Sequence, residues 1–229
     1  MKTMVLAGGL LASAVLLTGC GLPNFGKAAN QETADYTVTD KVVKLRLAGG
    51  SGNAEIREGT GGAIKVVETL KWNSDKPKTE HKVEGDALVM RYDCPAAMDN
   101  CSVDYKIEVP KGLQLDLETG SGDIALKGVT GPIVASVGSG DLVGTGLLGK
   151  TVSVKTGSGD TKLTYAAAPD QVDLVTGSGN SVLELPAGPY AIQAVADSGD
   201  ATVSVKNDPS ATRKVSVKAG SGDVSVLPV

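Results

Sequence analysis

Seven glycine-rich tetrapeptides of this chain end in a carboxylate or a carboxamide, the side chains with the clearest capacity for chemistry. Six follow one another closely: Gly120-Ser121-Gly122-Asp123, Gly138-Ser139-Gly140-Asp141, Gly157-Ser158-Gly159-Asp160, Gly177-Ser178-Gly179-Asn180, Asp197-Ser198-Gly199-Asp200 and Gly220-Ser221-Gly222-Asp223. The seventh, Gly50-Ser51-Gly52-Asn53, lies far upstream. Carboxylates about 5 Å apart could serve as a glycosidase pair or as ligands of calcium. Catalysis, however, needs two acids made unequal by their surroundings, and these are near copies of one another. Asn53 and Asn180 also stand where an acid would be required. The simpler reading is that Asn53, Asp123, Asp141, Asp160, Asn180, Asp200 and Asp223 cap turns, accepting hydrogen bonds from backbone amides just past each corner. A weak cation ladder is the alternative. No catalytic residue, metal centre or cofactor is expected.

Residues 144–151, Gly-Thr-Gly-Leu-Leu-Gly-Lys-Thr, match the phosphate-loop pattern letter for letter. That chemistry needs a helix whose N-terminus faces the phosphate. Lys150-Thr151 instead leads into Val152-Ser153-Val154-Lys155, an alternating strand pattern. Gly146 and Gly149 also fall on Gly128 and Gly131 when shifted by one repeat, so the glycines belong to the repeat and no nucleotide is expected. His81 is the only histidine and lies between Glu80 and Lys82, as a solvated surface residue would. Without a second histidine or a nucleophile elbow, a hydrolase has little support. Trp72 and Tyr105 could stack sugars, but single aromatics on strands more often pack.

The N-terminus has a compartment written into it. Lys2 precedes an apolar stretch, Met4 to Leu17, and then Leu17-Thr18-Gly19-Cys20, which resembles the bacterial lipobox. Residues 1–19 are therefore expected to be a lipoprotein signal peptide and Cys20 the lipidation site. Acylation of this kind anchors a protein without spanning the bilayer. The expected location is the outer face of the cytoplasmic membrane or the cell envelope. Cys94 and Cys101 remain as an even pair in an oxidising compartment and are expected to form a disulfide; two free thiols or half of a metal site are the alternatives.

With 22 basic and 26 acidic residues the chain offers no basic surface for nucleic acid. Aromatic residues make up 3% of the chain and there are 30 glycines, so the core must come from aliphatic residues between frequent turns. That is repetitive β composition.

The elements that position the corners can be read from the spacing. The six tetrapeptides recur at intervals of 18, 19, 20, 20 and 23 residues, a period that marks a solenoid. Apolar residues alternate on both sides of the corners, as with Leu115 and Leu117 before, and Ile124 and Leu126 after, the first. Strand, corner, strand is the reading. The opposite corners fall at Gly128, Gly131-Pro132, Gly146, Gly149, Ala168-Pro169, Pro186 to Pro189 and Asn207-Asp208-Pro209. The fold expected is all-β, a single β-solenoid or β-helix-like stack of short strands with an N-terminal β capping region. Residues 20–35 are expected to be a lipidated flexible tether, 36–112 the cap with a hairpin around Gly85-Asp86, and 113–229 the repeat coils.

The hairpin from Val83 to Leu88, Cys94-Pro95, Cys101-Ser102-Val103-Asp104-Tyr105, Val109-Pro110-Lys111-Gly112 and the serial Gly-Ser-Gly-Asp corners together resemble the bacterial putative-adhesin domain. The resemblance covers about residues 36–229. It implies a β-helical fold, a biochemical function that is unknown, and no catalytic residues. The function expected is a non-enzymatic, membrane-anchored surface module for adhesion or envelope scaffolding, with an envelope or surface partner that the sequence does not identify. A sensor or regulatory lipoprotein that binds an envelope partner or compound is the second reading. A polysaccharide-active β-helix enzyme is the third, and the equivalence of the carboxylates speaks against it.

Overall fold

The computed structural model describes residues 28–95 and 100–229. In chain order the first strands are β1 (Asn30–Val38), β2 (Lys44–Ser51), β3 (Ala54–Glu58), β4 (Ile64–Trp72), β5 (Lys78–Glu84), β6 (Ala87–Asp93) and β7 (Ser102–Val109). Then come β8 (Gln114–Ser121), β9 (Ile124–Lys127), β10 (Ile133–Ser139), β11 (Leu142–Leu147), β12 (Thr151–Ser158) and β13 (Thr161–Tyr165). The last are β14 (Gln171–Ser178), β15 (Ser181–Leu185), β16 (Ala191–Ser198), β17 (Ala201–Val203), β18 (Lys214–Ser221) and β19 (Val224–Pro228). The fold is all-β, with no helix among the described residues.

The strands form two sheets with a shared core between them. One is ten-stranded, in the order β1-β4-β7-β3-β9-β11-β13-β15-β19-β17; the other is nine-stranded, in the order β16-β18-β14-β12-β10-β8-β2-β6-β5. From β8 onward, even-numbered strands lie in the second sheet and odd-numbered strands in the first, so each corner carries the chain from one sheet to the other. Pairing between successive coils is parallel.

The alternation of the sequence holds this register. Leu45, Leu115, Ile133, Val152, Val172 and Val215 stand opposite one another on adjacent strands, and all are buried. A slip of one residue would turn the whole column out to water, which specifies the pairing strongly. Both sheets bury one face on this core, and their outer faces carry the intervening residues, polar apart from exposed valines such as Val134, Val143 and Val175.

The N-terminal end is closed by antiparallel strands. β5 and β6 form the expected hairpin, with Gly85 at φ 63° in its turn, and β1 pairs antiparallel with β4. The Tyr36 ring stacks on His81 across the gap between the sheets, with centroids 4.0 Å apart. His81 is exposed, as expected. Cys94 and Cys101 are joined by a disulfide.

Two expectations about organisation need correction. The sequence places the tether through Asp35, but β1 begins at Asn30. Its first six residues are all exposed, so edge pairing with β4 rather than burial makes this a strand, and no apolar alternation signals it. The sequence places the cap over 36–112, but β2 and β3 run parallel to β8 and β9 as a coil of the stack. The order of the last two coils also differs from the chain order: β18 inserts between β14 and β16, and β19 between β15 and β17. Identical corner chemistry makes either order compatible with the local pattern. The expected signal peptide, residues 1–19, and the expected lipid site, Cys20, lie outside the described residues.

Candidate functional site

The corners stack into a single ridge. Ser51, Ser121, Ser139, Ser158, Ser178, Ser221 and Ser198 face one another in register from coil to coil. In each corner the glycine before the last residue has a positive φ, for example 144° at Gly140 and 128° at Gly159. A Cβ added to Gly140 would press into the carbonyl oxygen of Gly122 on the coil beneath, so both backbone conformation and space require glycine here.

The side chains that end six of the seven tetrapeptides bond to the neighbouring coil rather than to their own turn, and Asp200, on the outermost coil, joins through its N–H alone. The N–H of Asp123 donates to Asn53 Oδ1 at 2.9 Å, that of Asp141 to Asp123 Oδ1 at 3.0 Å, and that of Asp160 to Asp141 Oδ1 at 2.8 Å. Asn180 donates to Asp160 Oδ1 at 2.7 Å, Asp223 to Asn180 Oδ1 at 2.9 Å, and Asp200 to Asp223 Oδ1 at 2.9 Å. This corrects the expected local cap. Where the chain passes from one sheet to the other, as from β12 to β13, the corner leaves a gap in the coil-to-coil main-chain bonding, and the side chain supplies the acceptor that the next coil's amide would otherwise lack. All seven predicted residues are brought into this one ladder.

The ladder has an eighth member that the repeat does not reveal. Asn53 N–H donates to Asp104 Oδ1 at 3.0 Å, and Asp104 also pairs with the Lys71 ammonium. Asp104 sits in Cys-Ser-Val-Asp-Tyr with no glycine beside it, so the motif carries no trace of it; only the parallel register of β3 on β7 places it there. Along the ridge the acids are interrupted by amides, in the order Asp104, Asn53, Asp123, Asp141, Asp160, Asn180, Asp223, Asp200. No run of like charges therefore exceeds three, which limits repulsion between neighbours about 5 Å apart.

Chemically, this arrangement commits one oxygen of each side chain from Asp104 to Asp223 along the ridge to a backbone amide of a neighbouring coil. No group of three or more histidine, cysteine, aspartate or glutamate side chains is placed to hold a metal ion among the described residues. The phosphate-loop look-alike falls on β11 and β12: Leu148 and Gly149 donate to the carbonyl of Val129, and Lys150 lies 3.7 Å from Asp170 at the surface. A groove of about 470 Å³ on the outer face of the first sheet holds Arg57, Lys65, Lys106 and Lys127 with Glu55 and Glu108. There Glu108 accepts from Lys65 at 2.8 Å and Arg57 at 2.7 Å, and the Lys65 ammonium holds its carboxyl below the usual range. These are cross-strand ion pairs, each of small energy at a surface.

Trp72 ends β4 half-buried, with the Lys76 ammonium 5.7 Å from the ring centroid. Tyr105 is buried in the core, which pushes its hydroxyl pKa up, and that hydroxyl has no hydrogen-bond partner among the described residues. Tyr105 is too buried to stack on a sugar, and the Lys76 ammonium lies over the Trp72 ring. Nothing in the sequence singles out Glu68, yet it is buried and accepts from the Tyr36 hydroxyl at 2.6 Å.

Residues 42–227 match the family model described as Toastrack DUF4097. Among solved structures, a "putative cell adhesion protein" from Clostridium sporogenes ATCC 15579 is 15% identical, with a TM-score of 0.53 over 87% of this chain and 99% of that one. A "putative adhesin" from Bacteroides fragilis NCTC 9343 is 13% identical, with a TM-score of 0.47 over 89% of this chain and 99% of that one. At these identities the first likeness is one of fold. No curated protein matches the chain.

Proposed function

The chain belongs to the Toastrack DUF4097 family, and from that premise we propose that it is a surface lipoprotein serving as a non-enzymatic adhesion or envelope-scaffold module. In this reading the protein is a β-solenoid closed at its N-terminal end by the β1, β4, β5, β6 and β7 strands. Residues 1–19 direct export, a lipid on Cys20 holds it at the outer face of the cytoplasmic membrane or in the cell envelope, and residues 21–29 tether it.

The observation that carries the reading is the corner ladder. Its carboxylates are near-equivalent, and all but that of Asp200 are committed to a backbone amide of a neighbouring coil. Such a column stiffens a stack and provides no unequal acid and base pair for catalysis. A rigid body on a short tether suits presentation to another surface.

The anchor is tested by Cys20→Ala in cells, with detergent partitioning and mass measurement as readouts. The reading expects an unlipidated protein that is released or left uncleaved; a variant that still partitions into detergent at a lipidated mass overturns it. Adhesion is tested by comparing cells that display the protein with cells lacking it for attachment to envelope material and to one another. No difference in either assay overturns the module's proposed role.

A further inference from the structure

The two ends of the stack are built differently. At the N-terminal end the edge strand β5 carries Lys78, Glu80, Lys82 and Glu84, and the Tyr36–His81 stack bridges the sheets. Charged residues on an edge are the usual protection against strand addition. At the other end β16 (Ala191–Ser198) and β17 (Ala201–Val203) are the outermost strands of their sheets, and neither contains a lysine, arginine or proline.

Their hydrogen bonding shows which groups are left open. Ala191 donates to the carbonyl of Arg213, so β16 turns the backbone groups of Ile192, Ala194 and Ala196 away from β18. The Asn207 side chain meets Ile192, with its Oδ1 3.0 Å from the amide nitrogen and its Nδ2 3.3 Å from the carbonyl. Ala194 and Ala196 have no strand on that side. In β17, Ser204 donates to Val226 and the Asp200 carbonyl accepts from Val224, which leaves the backbone groups of Ala201 and Val203 turned away from β19. Val195 and Val203 are 37% and 38% exposed, and Ile192, Ala194 and Ala196 are only partly covered.

We infer that this end pairs with the same end of a second copy about a twofold axis normal to both sheets. The geometry selects a second copy over a single extended peptide, because open edges occur on both sheets at once and a lone strand can satisfy only one. Across the other corners, Thr156 faces Thr161 and Thr176 faces Ser181, so inward residues meet five positions apart. By the same relation Ala196 faces Ala201 and Ala194 faces Val203. The midpoints of the two open segments are then Val195 and Thr202, opposite one another, and a single axis passes both. About that axis Ala194 pairs with Ala196 of the other copy, Ala201 pairs with Val203 of the other copy, and Val195 meets its own symmetry mate. The antiparallel arrangement brings the exposed Lys206, beyond the start of β16, toward the Asp197 and Asp200 corner of the second copy, so the charges are complementary.

The contact is isologous and closed, since the N-terminal end cannot repeat it; it makes dimers and not fibres. It is also small beside the roughly 1,200 Å² of a stable interface, so pairing is weak in dilute solution and strengthens when many copies face one another. β1 lies at the far end of the ten-stranded sheet from β17. If the adhesion reading above holds, on which this consequence rests, the two tethers leave from opposite extremes of the dimer, and the partner surface is one that displays the same protein.

The test uses the full-length protein, purified in detergent and oxidised at increasing concentration. Val195→Cys and Thr202→Cys, each opposite its own symmetry mate within disulfide reach, should give a dimer band that reduction collapses. Thr33→Cys on β1 at the other end should stay monomeric. Adding Thr202→Lys to Val195→Cys should abolish the dimer band without changing the melting temperature, because like charges then meet across the axis and the Thr202 side chain is exposed. Both cysteine variants remaining monomeric while melting like the parent overturns the inference, as does equal cross-linking of Thr33→Cys. Cell attachment measured in parallel separates the two ideas: attachment without cross-linking removes the self-pairing and leaves the adhesion role, whereas cross-linking without attachment does the reverse.

Discussion

The backbone N–H of Asp141 donates to the carboxylate of Asp123, eighteen residues earlier, at 3.0 Å, while the carboxylate of Asp141 in turn accepts from Asp160 at 2.8 Å. Asn53, Asp123, Asp141, Asp160, Asn180 and Asp223 are each both a donor to one coil and an acceptor for the next. The acceptor role needs an oxygen and not a charge, as Asn180 demonstrates by accepting from Asp223 at 2.9 Å. Asp141→Asn should therefore be close to neutral in thermal melts. Asp141→Ala should cost about 0.5–1.5 kcal/mol, the net value of one hydrogen bond. If the ridge bound calcium instead, Asn would destabilise nearly as much as Ala, and only with calcium present; melting both variants with calcium and with chelator separates the two cases.

Gly140 carries a heavier constraint than the aspartate beside it. Its φ is 144°, and a Cβ would press into the Gly122 carbonyl oxygen, which is backbone and part of the ladder. Gly140→Val should therefore destabilise more than Asp141→Ala, and Gly140→Ala should also be costly, since the clash arises at the first side-chain atom. Gly85, also at positive φ but with nothing within 4 Å of its would-be Cβ, should tolerate alanine better. Chemical denaturation of the three variants should rank Gly140→Val and Gly140→Ala well below Gly85→Ala in stability.

How far the sequence reveals this fold can be traced residue by residue. The period of the tetrapeptides and the alternation around them are enough for the all-β class, the coils from β8 onward and the placing of the aspartates at corners, but not for the coil-to-coil bonds they make. Asn53 can be grouped with Asp123 by its motif, but not placed next to it, because 70 residues separate them and spacing carries no information on which coils touch. Asp104 is invisible, since the glycines that mark every other corner are missing there. β1 reads as tether because Asn30 to Asp35 form a strand through edge pairing alone, with no buried face to imprint a pattern. The exchange of Asp200 and Asp223 along the ridge is illegible for the opposite reason: the two corners are too much alike.

The tyrosines should report on folding at alkaline pH. All five, Tyr36, Tyr92, Tyr105, Tyr165 and Tyr190, have hydroxyl pKa values raised by burial, and Tyr36 is raised further by its bond to Glu68. A raised pKa in the folded state means that the native chain holds protons the unfolded chain would release. Stability is then complete below the ordinary tyrosine pKa near 10 and falls as pH rises beyond it. Tyrosinate absorbance should stay low through that range and appear together with loss of the β-sheet signal. A gradual titration of several tyrosines near pH 10 in folded protein would contradict this.

The core beneath the corners offers the last test, in pairs of hydroxyls. Thr156 and Thr161 are buried with their hydroxyl oxygens 3.0 Å apart, and Thr176 and Ser181 repeat the arrangement one coil on at 2.8 Å. In the preceding coil the equivalent positions are Val137 and Leu142, so the site accepts an apolar pair as well as a polar one. Thr156→Val alone strands the Thr161 hydroxyl and should cost about 1–3 kcal/mol, the price of a buried group without a partner. Thr156→Val with Thr161→Val should recover most of that loss, since both polar groups are removed together. Thr119 is the natural half of such a pair: its counterpart is Ile124, and its buried hydroxyl has no partner among the described residues. Thr119→Val, nearly equal in volume, should therefore raise the melting temperature while Thr156→Val lowers it, by about 2–4 °C per kcal/mol for a domain of this size. A thermal-melt series of these variants checks the sign at each site, and destabilisation by Thr119→Val comparable to that of Thr156→Val would refute the pairing argument.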